Sequence, residues 1–169
     1  MKEIKVLINE EQINQRLDKI ASQLMEEYKG KDLMFLCILK GSVFFTVELA
    51  KRIKNNIQFE FLEVSSYEGH ESTGEIKLNK DITNSIEGKE VIIIEDIIDT
   101  GRTLYFLKNY ILQKNPASLK ICALLDKPSR RLVSIEADYI GFTIENKFVI
   151  GYGLDDEQNY RNLNYIGYI

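Results

Sequence analysis

The sequence predicts an α/β domain with a central, mostly parallel sheet flanked by helices. Three apolar runs of strand length predict the sheet: Leu33 to Leu39, Val91 to Ile94 and Leu119 to Leu125. None of them alternates with polar residues, so each reads as a strand buried on both faces. Segments with helical spacing lie between them, an order that makes neighbouring strands parallel and covers both faces with helices. At 169 residues the chain can bury such a core without disulfides or metals, as one domain spanning 1–169.

The elements follow in order. Asn9 and Gln12 have the spacing of a capping box, and Ile13, Leu17, Ile20, Leu24 and Tyr28 then recur at helical spacing up to a stop at Gly30. Their stripe is core. After the first buried strand, Lys40-Gly41-Ser42 leads into a second helix from about Val43 to Lys54. Ile57 to Val64 partly alternates as a strand does, and Ser65 to Gly74 is a polar loop containing Gly69 and Gly74. Beyond the second buried strand a helix runs to about Gln113 and breaks at Asn115-Pro116 before the third. From Asp138 onward the chain is aromatic-rich and strand-like, in DYIGFTI, KFVIGYGLD and NYIGYI. A small hood of strands and an added sheet edge both fit this pattern.

Charge and composition exclude several classes. The net charge is −4, and Lys and Arg are scattered apart from short groups such as Lys127 to Arg131, so no broad nucleic-acid surface is expected. No apolar run approaches the roughly 20 residues of a membrane span, and Met1 leads into Lys2-Glu3-Ile4 without a signal core. A cytoplasmic protein with no membrane partner is expected. Cys37 and Cys122 sit inside apolar runs and read as buried reduced thiols rather than as a disulfide or metal ligands. His70 is the single histidine, which leaves a transition-metal site almost without ligands.

Residues 91–104, VIIIEDIIDTGRTL, carry the chemistry. They read as a buried strand, a polar turn and a helix start. Free N–H groups and the positive dipole end at a helix start suit a phosphate, and Thr100, Gly101, Arg102 and Thr103 add two hydroxyls and a flexible backbone. Glu95, Asp96 and Asp99 repel a phosphate, so they serve otherwise, by holding hydroxyls, holding a metal or moving a proton. The plain alternative is an acidic surface turn. No G-x-x-x-x-G-K-[ST] occurs, and Gly151-Tyr152-Gly153 lacks the third glycine of a dinucleotide fingerprint. The single Asp-Thr-Gly triplet, on a chain with helices, does not suit an aspartic protease, which needs two copies on an all-β scaffold.

Glu95 to Thr103 closely resembles the donor-binding signature of the phosphoribosyltransferases. Leu39-Lys40-Gly41-Ser42, Ser66-Tyr67, Lys127, Lys147 to Asp155 and Tyr160-Arg161-Asn162-Leu163 then occur in the order and spacing of the 6-oxopurine branch of that family. The resemblance implies a type I phosphoribosyltransferase fold, with a small hood built from the N-terminal segment and the C-terminal strands. It also implies an activity: with Mg²⁺, the 5-phosphoribosyl group passes from phosphoribosyl pyrophosphate to hypoxanthine or guanine. By resemblance, Thr100 to Thr103 bind the 5′-phosphate, while Glu95 and Asp96 engage the ribose hydroxyls and Mg²⁺. Asp99 accepts the purine N7 proton. Lys127 donates to the 6-oxo group, Phe148 stacks on the base and the Val149 backbone reads its edge. Asp155 helps hold the pyrophosphate-bound Mg²⁺, and the Lys40-Gly41 backbone and Arg161 grip pyrophosphate. Ser66-Tyr67 begin a loop that closes over the reaction. Members usually form homodimers or homotetramers.

Taken singly, Phe148 reads as a core residue, Lys127 and Arg161 as solvated surface charges and Tyr67 as decoration of a loop. Their joint order along the chain reverses those readings. One departure is Asp156, where the family often has an aromatic residue; it is expected to add negative charge near the metal. Competing readings are a relative acting on xanthine or a pyrimidine, and an RNA-binding regulator on the same fold.

Overall fold

Val91 to Ile94, the most apolar stretch beside the signature, are fully buried at the centre of the molecule. The computed structural model describes residues 2–66 and 75–169. Its elements are β1 (Lys5–Ile8), α1 (Glu10–Glu27), β2 (Leu33–Leu39), α2 (Val43–Lys51), β3 (Ile57–Ser66), β4 (Ile76–Lys80), β5 (Glu90–Ile98), α3 (Arg102–Leu112), β6 (Ser118–Asp126), a 3₁₀ turn (Pro128–Arg130), β7 (Tyr139–Thr143), β8 (Val149–Ile150) and β9 (Ile166–Tyr168). Among the described residues, six strands form one sheet in the order β4-β3-β2-β5-β6-β7, parallel except for β4. A separate antiparallel sheet joins β1, β9 and β8.

The three buried strands are uniformly apolar because each face meets a different core. On one face Leu33, Phe35, Ile92, Ile94, Cys122 and Leu124 pack with Ile13, Leu17 and Leu24 of α1 and Phe45 and Leu49 of α2. On the other, Met34, Leu36, Val91, Ile93, Ile121 and Ala123 pack with Leu104, Leu107 and Ile111 of α3. Alternate residues thus serve alternate cores, which is the period-2 geometry of a strand.

α1 starts as its sequence implies. Asn9 Oδ1 accepts from Gln12 N at 2.8 Å and Gln12 Oε1 from Asn9 N at 2.9 Å, and Gly30 takes a left-handed φ of 75° after its end. α2 ends at Lys51, not near Lys54, because Arg52 N and Ile53 N bond to Leu49 O and Ala50 O, tightening the last turn. Ser65 and Ser66 belong to β3 rather than to a loop, paired with Lys77 and Ile76 of β4. That strand escaped the sequence reading because IKLNK buries no residue; its lysines suit an exposed sheet edge. Tyr67, Gly69, His70 and Gly74 lie outside the described residues. The aromatic tail divides: DYIGFTI supplies β7, a parallel strand at the edge of the main sheet, while later segments supply β8 and β9 of the small sheet.

Glu60 on β3 is buried and anchors the segment before β5. Its carboxylate accepts from Thr83 N (3.0 Å), Asn84 N (2.9 Å) and Asn84 Nδ2 (2.8 Å). Burial pushes its pKa up, but these bonds to the ionised form outweigh it and leave the pKa below the ordinary carboxylate value. A depressed folded pKa gives stability that is present above the unfolded value of about 4.3 and lost as pH falls through the folded one. Glu60→Gln is therefore expected to cost about 2 kcal/mol at neutral pH, lowering Tm by roughly 4–8 °C. The gap from the parent should close in acid. Parallel melts at pH 7 and pH 3 check this, and an undiminished gap at pH 3 would contradict it.

Candidate active site

Strand order assembles the site. β2, β5 and β6 are adjacent and parallel, so the segments that follow them, Lys40-Gly41-Ser42, the 95–103 loop and Lys127, emerge side by side. Ile98 pairs with Asp126, which sets Asp99 and Lys127 at neighbouring strand ends. Ligands of open α/β sheets gather at this edge.

Gly41 is the point of closest approach. The Leu39–Lys40 peptide before it is cis. Ser42 is fully buried, with Oγ donating to Ile38 O at 2.7 Å, and Thr46 Oγ1 donates to Ser42 O at 2.7 Å. A Cβ on Gly41 would lie 1.7 Å from Asp96 Oδ2, so the carboxylate rests against the Gly41 backbone. On its other side a Cβ on Gly153, whose φ is +100°, would lie 2.0 Å from Gly41 O. Arg161 braces this stack: Nη1 donates to Gly153 O at 2.7 Å, and Nη2 lies 3.2 Å from Asp155 Oδ1. It is not the solvated charge that it resembles in isolation.

The carboxylates sit in different environments. Glu95 is buried, and burial first, then the adjacent Asp96 carboxylate, push its pKa well above the usual carboxylate range. Burial also raises Asp96, against hydrogen bonds from its neighbours and the pull of the Arg161 cation. Among the described residues no three Asp, Glu, His or Cys side chains converge as a metal cage. Asp156, expected to add charge near a metal, forms an ion pair with Lys2 at 2.7 Å.

Asp99 is half exposed, and its Oδ1 accepts from Arg130 Nε at 2.9 Å. Gly101 follows in a left-handed conformation (φ 86°) and begins α3, with no side chain capping the helix. Its first amides are thus free for an anion, although Thr100 Oγ1 makes a long contact of 3.4 Å with Arg102 N. Neither Arg130 nor Arg131 stands out in the sequence as a site residue. The available signal was their position just after the strand end at Asp126-Lys127.

Lys127 buries its stem, but its ammonium, which has no hydrogen bond or ion pair among the described residues, keeps contact with solvent. Burial lowers its pKa, Asp99 opposes the fall and Arg130 adds to it. Phe148 is 57% exposed, so it is not the core residue its apolar neighbours suggest. Val149 is buried within β8. Ser66 ends β3 and makes no side-chain hydrogen bond to the other candidates among the described residues.

Lys127→Met is expected to leave Tm near that of the parent, because the ammonium it removes is unpaired among the described residues and in contact with solvent, and to weaken binding of a 6-oxopurine about 10- to 100-fold. Melting curves and base titrations together check this; a destabilised variant that binds normally would contradict both halves.

The family model described as a phosphoribosyl transferase domain matches residues 6–157. Hypoxanthine-guanine phosphoribosyltransferases of Lactococcus lactis and Streptococcus pneumoniae are each 49% identical over 164 residues, covering 96% of this chain and 89% and 91% of theirs. Among solved structures, a hypoxanthine-guanine phosphoribosyltransferase from Bacillus anthracis superimposes with a TM-score of 0.94 at 44% identity, covering 99% of both chains. A hypoxanthine phosphoribosyltransferase from Staphylococcus aureus gives 0.93 at 47% identity, covering 98% of this chain and 90% of that one.

Proposed function

The chain belongs to the phosphoribosyl transferase family, and we propose that it serves purine salvage, transferring the 5-phosphoribosyl group from phosphoribosyl pyrophosphate to N9 of hypoxanthine or guanine. The products are IMP or GMP and pyrophosphate. The observation that carries this reading is the junction of Asp96, Gly41, Gly153 and Arg161, where three chain segments meet beside an uncapped helix start.

Each group has a physical role. As N9 bonds to the anomeric carbon and the bond to pyrophosphate breaks, positive charge grows on the ribose and negative charge on the leaving group. The backbone and hydroxyls of Thr100 to Thr103, with Arg102, hold the 5′-phosphate. Glu95 and Asp96 engage the ribose hydroxyls, and the negative charge that the pair carries stabilises the developing cation. The Lys40-Gly41 backbone and Arg161 receive the pyrophosphate. Asp99 takes the N7 proton, Lys127 donates to the 6-oxo group, Phe148 stacks on the ring and Val149 offers its backbone to the base edge. Adenine would present its amino group to the Lys127 donor, an unsatisfied pair that a buried site rejects. Ser66, with Tyr67, begins the loop that shields the donor from water.

Mg²⁺ fits this donor set as a substrate-borne ion, since it binds through one or two carboxylates plus phosphates and waters rather than in an all-protein cage. Asp155, Glu95 and Asp96 are the groups that would face it. When bound it neutralises charge on the departing pyrophosphate. The protein is further proposed to act as one domain, as a cytoplasmic homodimer or homotetramer, without nucleic acid or membrane. No helix among the described residues is long and apolar enough to cross a membrane.

The test is pyrophosphate release with Mg²⁺ and phosphoribosyl pyrophosphate, with hypoxanthine, guanine, xanthine, adenine and uracil offered separately. Release with hypoxanthine or guanine is expected. Activity confined to xanthine or uracil would reassign the base, and silence with all five would overturn the enzymatic reading.

A further inference from the structure

We propose that Arg131 is a positioning residue: it holds the backbone of Asp99 against the end of β6 and so sets where the Asp99 carboxylate stands. Its guanidinium donates from Nη1 to Asp99 O at 2.8 Å and from Nη2 to Asp126 Oδ1. Both side chains are largely buried, Arg131 at 17% and Asp126 at 10% exposure. The stem continues the contact, for a Cβ on Gly101 would lie 2.9 Å from Arg131 Cδ. Leu132 N donates to Thr100 O at 2.9 Å. Residues 131–132 thus grip three consecutive residues of the donor loop, from the segment that also carries Lys127. The phosphate-binding loop and the base-binding lysine become one rigid unit.

Arginine is the side chain suited to this place. Its planar fork reaches a carboxylate and a carbonyl together, whereas lysine offers one point charge. The inference rests on the reading of Asp99 as the proton acceptor. A cleft of about 490 Å³, lined in part by Asp126, Arg131, Val133 and Ile135, adjoins the pair. Small solutes can therefore reach Asp126 once the arginine is trimmed.

The experiment is steady-state kinetics with hypoxanthine and phosphoribosyl pyrophosphate on Arg131→Lys, Arg131→Ala and the double variant Arg131→Leu/Asp126→Leu, below their melting temperatures. Displacing a catalytic group by about 1 Å costs on the order of 100-fold, so kcat is expected to fall about 10- to 100-fold in all three. Millimolar guanidinium should restore part of the rate of Arg131→Ala, and equal urea should not. The double variant guards against simple unfolding, because removing both buried charges is commonly neutral for stability. A double variant with parental Tm and parental kcat overturns the proposal, as does Arg131→Lys with parental kcat. Asp99→Asn, assayed alongside, separates the two readings. If it is inactive while the Arg131 variants are normal, only the positioning role falls. If it is fully active, the proton-acceptor assignment falls and the positioning role with it.

Discussion

Asp99→Asn is expected to lower kcat about 100- to 10,000-fold while leaving Tm near that of the parent, since a positioned general base contributes about that much. The stability half follows from exposure. Asp99 is half exposed, and Arg130, its ion-pair partner among the described residues, is 48% exposed; solvent-exposed pairs contribute about 0–1 kcal/mol. The rate half follows from chemistry: asparagine keeps the shape and a hydrogen-bonding oxygen but cannot accept a full proton. Base and donor should still bind, so the loss should appear in kcat rather than KM. A loss carried by KM alone would move Asp99 from proton transfer to binding. Unchanged kinetics would remove it from the mechanism.

Gly41→Ala should be nearly as damaging for a steric reason. The new methyl would stand 1.7 Å from Asp96 Oδ2, so the carboxylate must rotate away or the turn must lift. Asp96 Oδ1 also accepts from Ile97 N at 2.7 Å, and rotation would forfeit that bond. Either response misplaces a ribose-facing carboxylate or a pyrophosphate-facing amide, and kcat/KM for phosphoribosyl pyrophosphate is expected to fall at least about 100-fold. Stability should fall by only about 1–3 kcal/mol, as for other small overpacking changes. Adding Asp96→Ala to Gly41→Ala relieves the clash and should recover most of the Tm without recovering activity. Recovery of both would mean that the contact is structural only.

These effects differ in how far they could be read from sequence. Glu95 to Thr103 are contiguous, and strand, turn and helix start are local patterns, so the loop and its residue types are legible in the chain itself. So are β2, β5 and β6, because uninterrupted apolar runs need burial on both faces. The capping box at Asn9 is equally local. β4 is not legible, because an exposed edge strand leaves no apolar trace, and the sequence pattern runs past the end of α2, because Ile53 continues the apolar spacing while the backbone has already left the helix.

Single side chains in the site were less legible. Phe148 has the neighbours of a core residue and projects to solvent; Lys127 has the composition of a surface residue and is buried. Arg130 and Arg131 formed one basic group in the sequence, yet one side chain meets the Asp99 carboxylate and the next its carbonyl. Asp156 pairs with Lys2, 154 residues away, a partner that no local pattern announces.

The sequence by itself determined the family, the α/β alternation and the loop that carries the carboxylates and hydroxyls, because each is written in short contiguous patterns. Tertiary structure alone decided that Asp96 lies against Gly41, that Gly41 O faces Gly153, that Arg131 bridges Asp126 and Asp99, and which carboxylates are buried. The physical reason is distance along the chain. Burial, hydrogen bonding and pKa depend on what surrounds a side chain, and in this site the surroundings come from the ends of different strands, which only the order of the sheet brings together.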